Sequence, residues 1–462
     1  MSQTPFSSLS LHKPLLENLD SLGYASMTDI QQQSLPPILA GKDVIAQGKT
    51  GSGKTCAFAL GLLQALNVKR YYVQSIVLCP TRELADQVAK EIRKLARTIH
   101  NIKVLTLCGG MPFGPQIGSL EHGAHIIVGT PGRIEEHVRK GTLELDRVET
   151  LVLDEADRML EMGFQESLDN IIADIPSERQ TLLFSATFPD TIEAISQRIM
   201  QSPVRIEAES KHDDSSIKQQ FMKVQNNDER LTGVRLLLAK YQPESAVVFC
   251  VTKRECQEVS DELSAYGFSA VALHGDLEQR DRDQTLVRFA NKSASILVAT
   301  DVASRGLDIE NIDVVINYRL ARDAEVHVHR VGRTGRAGSK GLAFTLYTEK
   351  EQYKLSQLAE YLKIEINNSE LPPIKLLDKP PYYATMVTLQ LDGGKKQKIR
   401  PGDILGALTG ENGISGKEVG KIHMYDNWAY VAVERDAAKA ALKKISEGKL
   451  KGRSVRVRRL RG

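Results

Sequence analysis

The sequence predicts an α/β protein: two tandem domains built on parallel β-sheets, followed by a smaller α+β domain of order βαββαβ. Three observations carry that prediction. Short apolar runs of strand length recur along most of the chain, each followed by a segment of helical period, the pattern of a parallel sheet flanked by helices. The alternation breaks at the polar stretch ESKHDDSSIKQ (209–219) and then resumes. The last 80 or so residues change character and become strongly basic. A chain of 462 residues also exceeds what one ordinary core serves, so several domains are expected.

In the first domain, residues 1–208, strands are expected at DVIAQ (43–47), SIVLCP (75–80), HIIVGT (125–130), TLVLD (150–154) and TLLFSAT (181–187). Residues 209–216 read as a linker. The second domain, 217–368, carries strands at AVVFCVT (246–252), SILVATD (295–301) and DVVINY (313–318). The stretch NNSELPPIKLLDKPPYY (367–383) has four prolines, so a partly extended linker is expected at 369–381. The third domain spans 382–462. Its strands are TMVTLQL (385–391), KEVGKIHMY (417–425), WAYVAVE (428–434) and SVRVRRL (454–460), with helices at RPGDILGALTG (400–410) and RDAAKAALKKISEG (435–448). That order is the split βαβ sandwich used by many RNA-recognition modules.

The net charge of +3 hides an asymmetry. Residues 380–462 hold 17 Lys and Arg against 8 Asp and Glu, while the preceding residues hold 44 against 50. A basic terminal unit on a mildly acidic body points to a tethered polyanion binder. No apolar run approaches membrane-spanning length, and the start MSQTPFSSLS lacks the layout of a secretory signal. The five cysteines form no Cys-x-x-Cys pair and are odd in number, which fits a reduced, cytoplasmic chain without a disulfide framework or zinc site.

Residues 48–55 read GKTGSGKT, and only one of the two lysines satisfies G-x-x-x-x-G-K-[ST]. Counting back from Lys54 meets Gly53 and Gly48, whereas counting back from Lys49 meets Asp43 where glycine is needed. The preceding strand must end in a glycine-rich turn that opens a helix whose amides face the phosphates. A helix starting at Lys54 runs KTCAFALGLLQAL; one starting at Lys49 would place Gly51 and Gly53 in its first turns, at roughly 1 kcal/mol each. Lys54 is therefore the phosphate lysine and Thr55 the magnesium-side hydroxyl, with Gly48, Thr50, Gly51, Ser52 and Gly53 forming the cradle for ATP. Downstream, TLVLDEADRML (150–160) ends an apolar strand in acids. Asp154 is placed to hold Mg2+ through water, and Glu155 to orient and deprotonate the attacking water.

Asp154-Glu155-Ala156-Asp157 resembles the signature of the DEAD-box RNA helicases, whose other motifs follow in order over residues 6–350. Phe6, Gly23-Tyr24, Thr28 and Gln31 resemble the adenine-reading Q motif. Pro80, Thr81, Arg82 and Glu83, then Gly109-Gly110, then Thr130, Pro131, Gly132 and Arg133 resemble the first domain's RNA-backbone contacts. Ser185 and Thr187, together with Asp157, resemble the element that couples the ATP site to strand separation. In the second domain, Gln279, Arg282 and Thr300 resemble RNA contacts, Asp308 a ribose contact, and Arg333 and Arg336 arginines that reach the γ-phosphate. The resemblance implies two RecA-like domains, ATP and Mg2+ as cofactors, and RNA-stimulated hydrolysis that requires the two domains to close. One departure is small: position 48 is more often alanine in the family, and Gly48 is expected to loosen the turn.

From residue 382 onward, DGGKKQKIRPGDILGALTG (392–410), GKEVGKI (416–422) and KGRSVRVRRLRG (451–462) resemble the RNA-binding domain of bacterial DEAD-box helicases directed to ribosomal RNA. That resemblance implies a 23S ribosomal RNA hairpin near the peptidyl-transferase centre as partner, and large-subunit precursors as the place of action. A monomer, with neither membrane nor DNA as partner, is expected. The alternative is a general RNA chaperone or ATP-gated clamp without that specificity. Read from residues alone, Trp428 and Tyr430 stand where stacking aromatics of an RNA-recognition motif sit, with Trp428 equally placed to be core. Thr388 occupies the position of a second aromatic platform, and Asp426 replaces a basic residue. Lys395, Lys396, Lys398 and Arg400, ahead of a helix N-terminus, are the better candidates for holding a folded RNA by its phosphates.

Overall fold

The computed structural model describes residues 4–48, 51–207, 217–304, 312–335 and 341–460. Thr50, Asp308, Arg336 and the 209–216 linker lie outside the described residues. The chain divides into two compact units, the first ending ahead of Ile217.

The first unit holds seven strands: β1 (Val44–Gln47), β2 (Ser75–Leu78), β3 (Val104–Leu107), β4 (Ile126–Gly129), β5 (Thr150–Asp154), β6 (Gln180–Ser185) and β7 (Val204–Glu207). They form one parallel sheet in the order β3-β4-β2-β5-β6-β1-β7. Helices cover both faces, so the central strands β2, β4 and β5 are buried along their whole length and read as unbroken apolar runs. The helix Arg82–Leu95 shows how the sequence builds the cover. Leu84, Ala85, Val88, Ala89, Ile92 and Leu95 make a buried stripe at helical spacing, Thr81 caps its N-terminus, and Arg93 and Lys94 occupy its last turn.

The second unit opens with β8 (Ile217–Lys223), β9 (Ala246–Cys250), β10 (Ala270–Leu273), β11 (Ile296–Thr300), β12 (Val314–Asn317) and β13 (Gly341–Tyr347). These make a second parallel sheet, β10-β11-β9-β12-β13-β8. Both sheets are RecA-like. The strands that the sequence pattern did not announce are mostly edges: β3, β7, β8 and β10 each end a sheet. An edge strand buries less, so IKQQFMK and VRIE carry polar residues that mask the apolar signal.

The remaining strands, β14 (Met386–Leu391), β15 (Val419–Met424), β16 (Ala429–Glu434) and β17 (Val457–Arg459), form an antiparallel sheet in the order β15-β16-β14-β17. The helices Pro401–Thr409 and Ala438–Glu447 pack on one face over Leu389, Leu391, Ile404, Val431 and Ala441. The proline-rich stretch before it lies along the second sheet's domain. Ser369 N–H donates to Phe221 O at 2.8 Å, a 3-10 turn at Ile374–Asp378 packs on the helix Asn227–Tyr241, and Tyr382 meets Phe268 edge-on.

Candidate active site and nucleic-acid surfaces

Strand order decides which loops meet. In a parallel sheet every connection after a strand emerges at the same edge, and ligands gather there. The adjacent strands β5, β6 and β1 deliver Asp154, Ser185 and the glycine-rich loop side by side. Their neighbours β2, β4 and β3 deliver Pro80–Glu83, Thr130–Arg133 and Gly109-Gly110.

At the phosphate loop, Gly53 has φ 97° and begins the helix Lys54–Ala65, as the choice of Lys54 requires. Lys54 is buried, and its Nζ donates to Gly48 O at 2.7 Å. The hydroxyl of Ser52 is buried with no hydrogen-bond partner, an orphan donor facing the place where phosphate oxygens belong. Thr28 and Gln31 clasp the loop from outside: Thr28 Oγ1 donates to Ser52 O at 2.7 Å and Gln31 Nε2 to Gly53 O at 3.1 Å. The same Gln31 accepts from Thr28 N–H and so closes a capping box on the helix Asp29–Leu39. Tyr24 donates to Glu91 at 2.7 Å, and its ring meets Phe6 edge-on at 6.4 Å. Phe6 itself is only 3% exposed and packs in the core of the first domain, with Tyr24 against it.

Asp154 is 3% exposed, and burial pushes its carboxyl up to about 7 against the pull of Lys54. A carboxylate kept this short of compensating charge beside a phosphate loop suits a divalent cation. Among the described residues no group of three or more His, Cys, Asp or Glu converges. Glu155 adopts φ 52°, ψ 52°, a left-handed backbone uncommon outside glycine, and this aims its side chain away from the strand direction that Asp154 follows. Asp157 binds Thr187 twice, accepting from its N–H at 3.0 Å and its Oγ1 at 2.8 Å, while Ser185 Oγ accepts from Asp157 N–H at 3.4 Å. Burial alone would raise the Asp157 carboxyl; the Thr187 bonds outweigh it and hold the group below its ordinary value. The three residues expected to couple the site are thus one hydrogen-bonded unit.

Along the other half of the edge, Arg82 lies against Gly110 so closely that a β-carbon there would stand 1.7 Å from Arg82 Nη1. Gly110 also has φ 71°, so this position excludes side chains twice over. Arg133 Nη1 donates to Met111 O and Gln116 Oε1, both at 2.9 Å. Three separate sequence motifs are therefore packed together, with Arg133 hydrogen-bonded across two of their segments, before any ligand is considered.

In the second domain, Thr300 ends β11 and is buried, and Arg282 Nη2 donates to Ala303 O at 2.8 Å. Arg333 is 8% exposed and follows the helix Ala324–Val331. A pair that the sequence reasoning missed supports it. Arg330, 2% exposed, grips Asp301 at two points, 2.6 and 2.8 Å, and so ties the helix to the segment after β11. Both residues stand inside expected motifs, but nothing in their spacing says that they touch.

In the third domain, Lys395, Lys396, Lys398 and Arg400 are all exposed, around a 3-10 turn whose amides bond Tyr425 O and Asp426 O. Tyr430, expected as an RNA contact, is corrected here: it is 0% exposed. Its sheet face is covered by the helix Gln279–Ala290 of the preceding domain, with Gln284 beside the Tyr430 hydroxyl and the Arg280 guanidinium 5.8 Å from the Trp428 ring. Thr388, where an aromatic platform was sought, accepts from Asn291 Nδ2 and shares a 2.6 Å hydrogen bond with Ser293; His423 Nε2 lies 3.0 Å from Asn291 Oδ1. The face used by ordinary RNA-recognition motifs is thus a docking face, and the helix it docks on carries Gln279 and Arg282.

Comparison with known proteins agrees with these features. The family described as DEAD/DEAH box helicase matches residues 28–195, the helicase conserved C-terminal domain matches 229–338, and the DbpA RNA binding domain matches 388–459. The ATP-dependent RNA helicase DbpA of Escherichia coli is 53% identical over 99% of this chain and 100% of its own length. Its namesake in Bacillus subtilis is 37% identical, with 98% of each covered. Among solved structures, Saccharomyces cerevisiae Dbp5 bound to RNA and ADP BeF3 superposes with a TM-score of 0.73 at 29% identity, covering 81% of this chain and 99% of that one.

Proposed function

The chain belongs to the DEAD-box family of ATP-dependent RNA helicases, and from that premise we propose that it opens short duplexes in ribosomal RNA while its third domain holds a 23S hairpin near the peptidyl-transferase centre. The observation that carries this reading is the third domain's division of labour: one sheet face is docked on the second domain, while the basic turn of Lys395, Lys396, Lys398 and Arg400 stays exposed. Anchored this way, the domain would hold one RNA element while the two RecA-like domains act on a neighbouring one. Assembly of the large ribosomal subunit, in the cytoplasm and as a monomer, is the setting that fits.

In the proposed chemistry, Lys54 and the amides of Gly51 to Thr55 hold the β- and γ-phosphates, and Thr28 and Gln31 fix the loop that carries them. Magnesium, held by Thr55 and Asp154, would neutralise phosphate charge. Glu155 orients the attacking water and takes its proton. Arg333 and Arg336 supply positive charge to the γ-phosphate from the second domain, an effect worth roughly a thousandfold or more in rate. Asp157, Ser185 and Thr187 carry the change at the ATP site toward bound RNA.

The test uses the full chain. ATPase activity is titrated with a 23S fragment containing the hairpin and with arbitrary RNA of equal length. Half-saturation at much lower concentration for the 23S fragment supports the anchored reading. Equal curves favour a general RNA chaperone.

A further inference from the structure

We propose that Gln116 is a positioning residue that holds two RNA-backbone motifs of the first domain in register, and so sets the enzyme's affinity for its RNA strand. The inference rests on the reading that Gly109-Gly110 and Arg133 face RNA. Gln116 is buried, and it sits in the helix Phe113–Leu120 between those motifs. Every polar atom of its side chain is used. Nε2 donates to Cys108 O at 3.1 Å, the carbonyl just ahead of Gly109. Oε1 lies 2.9 Å from both Arg133 Nη1 and His137 Nε2.

The donor logic admits one arrangement. A backbone carbonyl can only accept, so the amide nitrogen must face Cys108. A guanidinium can only donate, so the amide oxygen must face Arg133. His137 Nε2 must then carry the imidazole proton, with Nδ1 turned to Thr142 Oγ1 at 2.8 Å. The ring is stacked on Phe113 at 4.1 Å and 17°. Burial, with Arg133 second, pushes His137 down to about 4, so it stays neutral and keeps that tautomer through the physiological range. A glutamine is therefore demanded twice: glutamate cannot donate to Cys108, and leucine can serve neither side.

Arg133 gains from this in a specific way. Its guanidinium is held by Met111 O and Gln116 Oε1 on one edge and by Glu136, 3.1 Å from Nε, on another. A cation fixed before RNA arrives loses less rotamer freedom on binding a phosphate, so holding it raises affinity without touching the ATP site.

The experiment compares full-length wild type, Gln116→Leu, Gln116→Glu, Arg133→Leu and the Gln116→Leu/Arg133→Leu double variant. Each is measured for RNA-stimulated hydrolysis, for binding of a fluorescent ATP analogue and for RNA affinity across a salt series. For Gln116→Leu the half-saturating RNA concentration is expected to rise about tenfold with kcat and nucleotide affinity nearly unchanged. The slope of log affinity against log salt is expected to shallow by about 0.7, the share of one phosphate contact to single-stranded RNA, and to match Arg133→Leu. The double variant should bind RNA no more weakly than Arg133→Leu alone. Gln116→Glu, which cannot donate to Cys108 and sets a carboxylate against Arg133, should likewise raise the half-saturating RNA concentration. The inference is overturned if Gln116→Leu leaves RNA half-saturation unchanged, or if its losses add to those of Arg133→Leu. Should Gln116→Leu fail to fold, Gln116→Glu decides alone, and an unchanged half-saturating RNA concentration in it overturns the inference. A wild-type enzyme indifferent to RNA would instead overturn the functional reading beneath it.

Discussion

The δ-methyl of Ile30 stands 2.5 Å from the place where a β-carbon on residue 48 would project. Gly48 therefore does more than loosen a turn: the volume that an alanine would take in the phosphate loop is filled by a side chain of the helix that carries Gln31. Gly48→Ala forces that methyl aside, at a cost of about 1–3 kcal/mol typical of overpacking. Nucleotide affinity is expected to drop by about tenfold and to recover in Gly48→Ala combined with Ile30→Val, as measured by titration with a fluorescent ATP analogue. An alanine variant that binds as wild type would show that the loop yields freely.

Thr187 offers a cleaner separation of hydrolysis from work. It donates twice to Asp157, and neither group is placed on the nucleotide. Thr187→Val removes the hydroxyl bond while keeping shape and backbone. Duplex unwinding is expected to fall about tenfold while RNA-stimulated hydrolysis stays within about threefold, since a hydrogen bond to a charged group is worth about 1.5–3 kcal/mol. Parallel loss of both activities in a strand-displacement assay would place Thr187 in the chemistry instead.

Two buried histidines lower stability on the acid side, partly opposed by Asp154, whose raised carboxyl favours the folded chain as pH falls below about 7. Burial pushes His137 down from 6.5 to about 4 and His327 from 6.5 to about 3, the latter bonded to Gln219 Oε1 and stacked on Phe221. The unfolded chain takes up these protons near pH 6.5, and the folded chain does so only near the lowered values. The histidines' share of stability is thus fully present above about pH 6.5 and declines as pH falls toward 4. Thermal melts from pH 7.5 to 5 are expected to show a falling Tm. His327→Gln, which retains a partner for Gln219, should flatten that fall.

Tyr430 discriminates between a stacking platform and a docking face. Because the ring is fully buried under the helix Gln279–Ala290, Tyr430→Ala is expected to cost about 3–5 kcal/mol of stability, the range for a large buried aromatic. Replacing Lys395 and Lys396 with glutamate should instead leave the melting temperature near wild type and shallow the salt dependence of RNA binding, by about 0.7–0.9 per phosphate contact. Weakened RNA binding at unchanged Tm in Tyr430→Ala would restore the stacking role.

What the sequence made legible divides along a physical line. Central strands such as TLVLD and SIVL are buried on both faces and so advertise themselves, whereas edges such as IKQQFMK do not. β13, GLAFTLY, carries a central-strand apolar run yet lies among the strands that the sequence pattern does not announce. The helix start at Lys54 was legible because glycine spacing is a backbone constraint. Gln116 and the Arg330–Asp301 pair were not, because their meaning is a contact across loops that spacing does not encode. Tyr430 was misread for a related reason: an aromatic on a half-sheet looks the same whether RNA or a neighbouring helix covers it.

The strand order of the first sheet has a consequence for speed and fidelity. β2, which leads to Pro80–Glu83, is the immediate neighbour of β5, which leads to Asp154 and Glu155. The segments that follow them are thus separated by one inter-strand step of about 4.8 Å, bridged by backbone hydrogen bonds that tolerate almost no slack. A strand pulled at one rim is already a tug at the other.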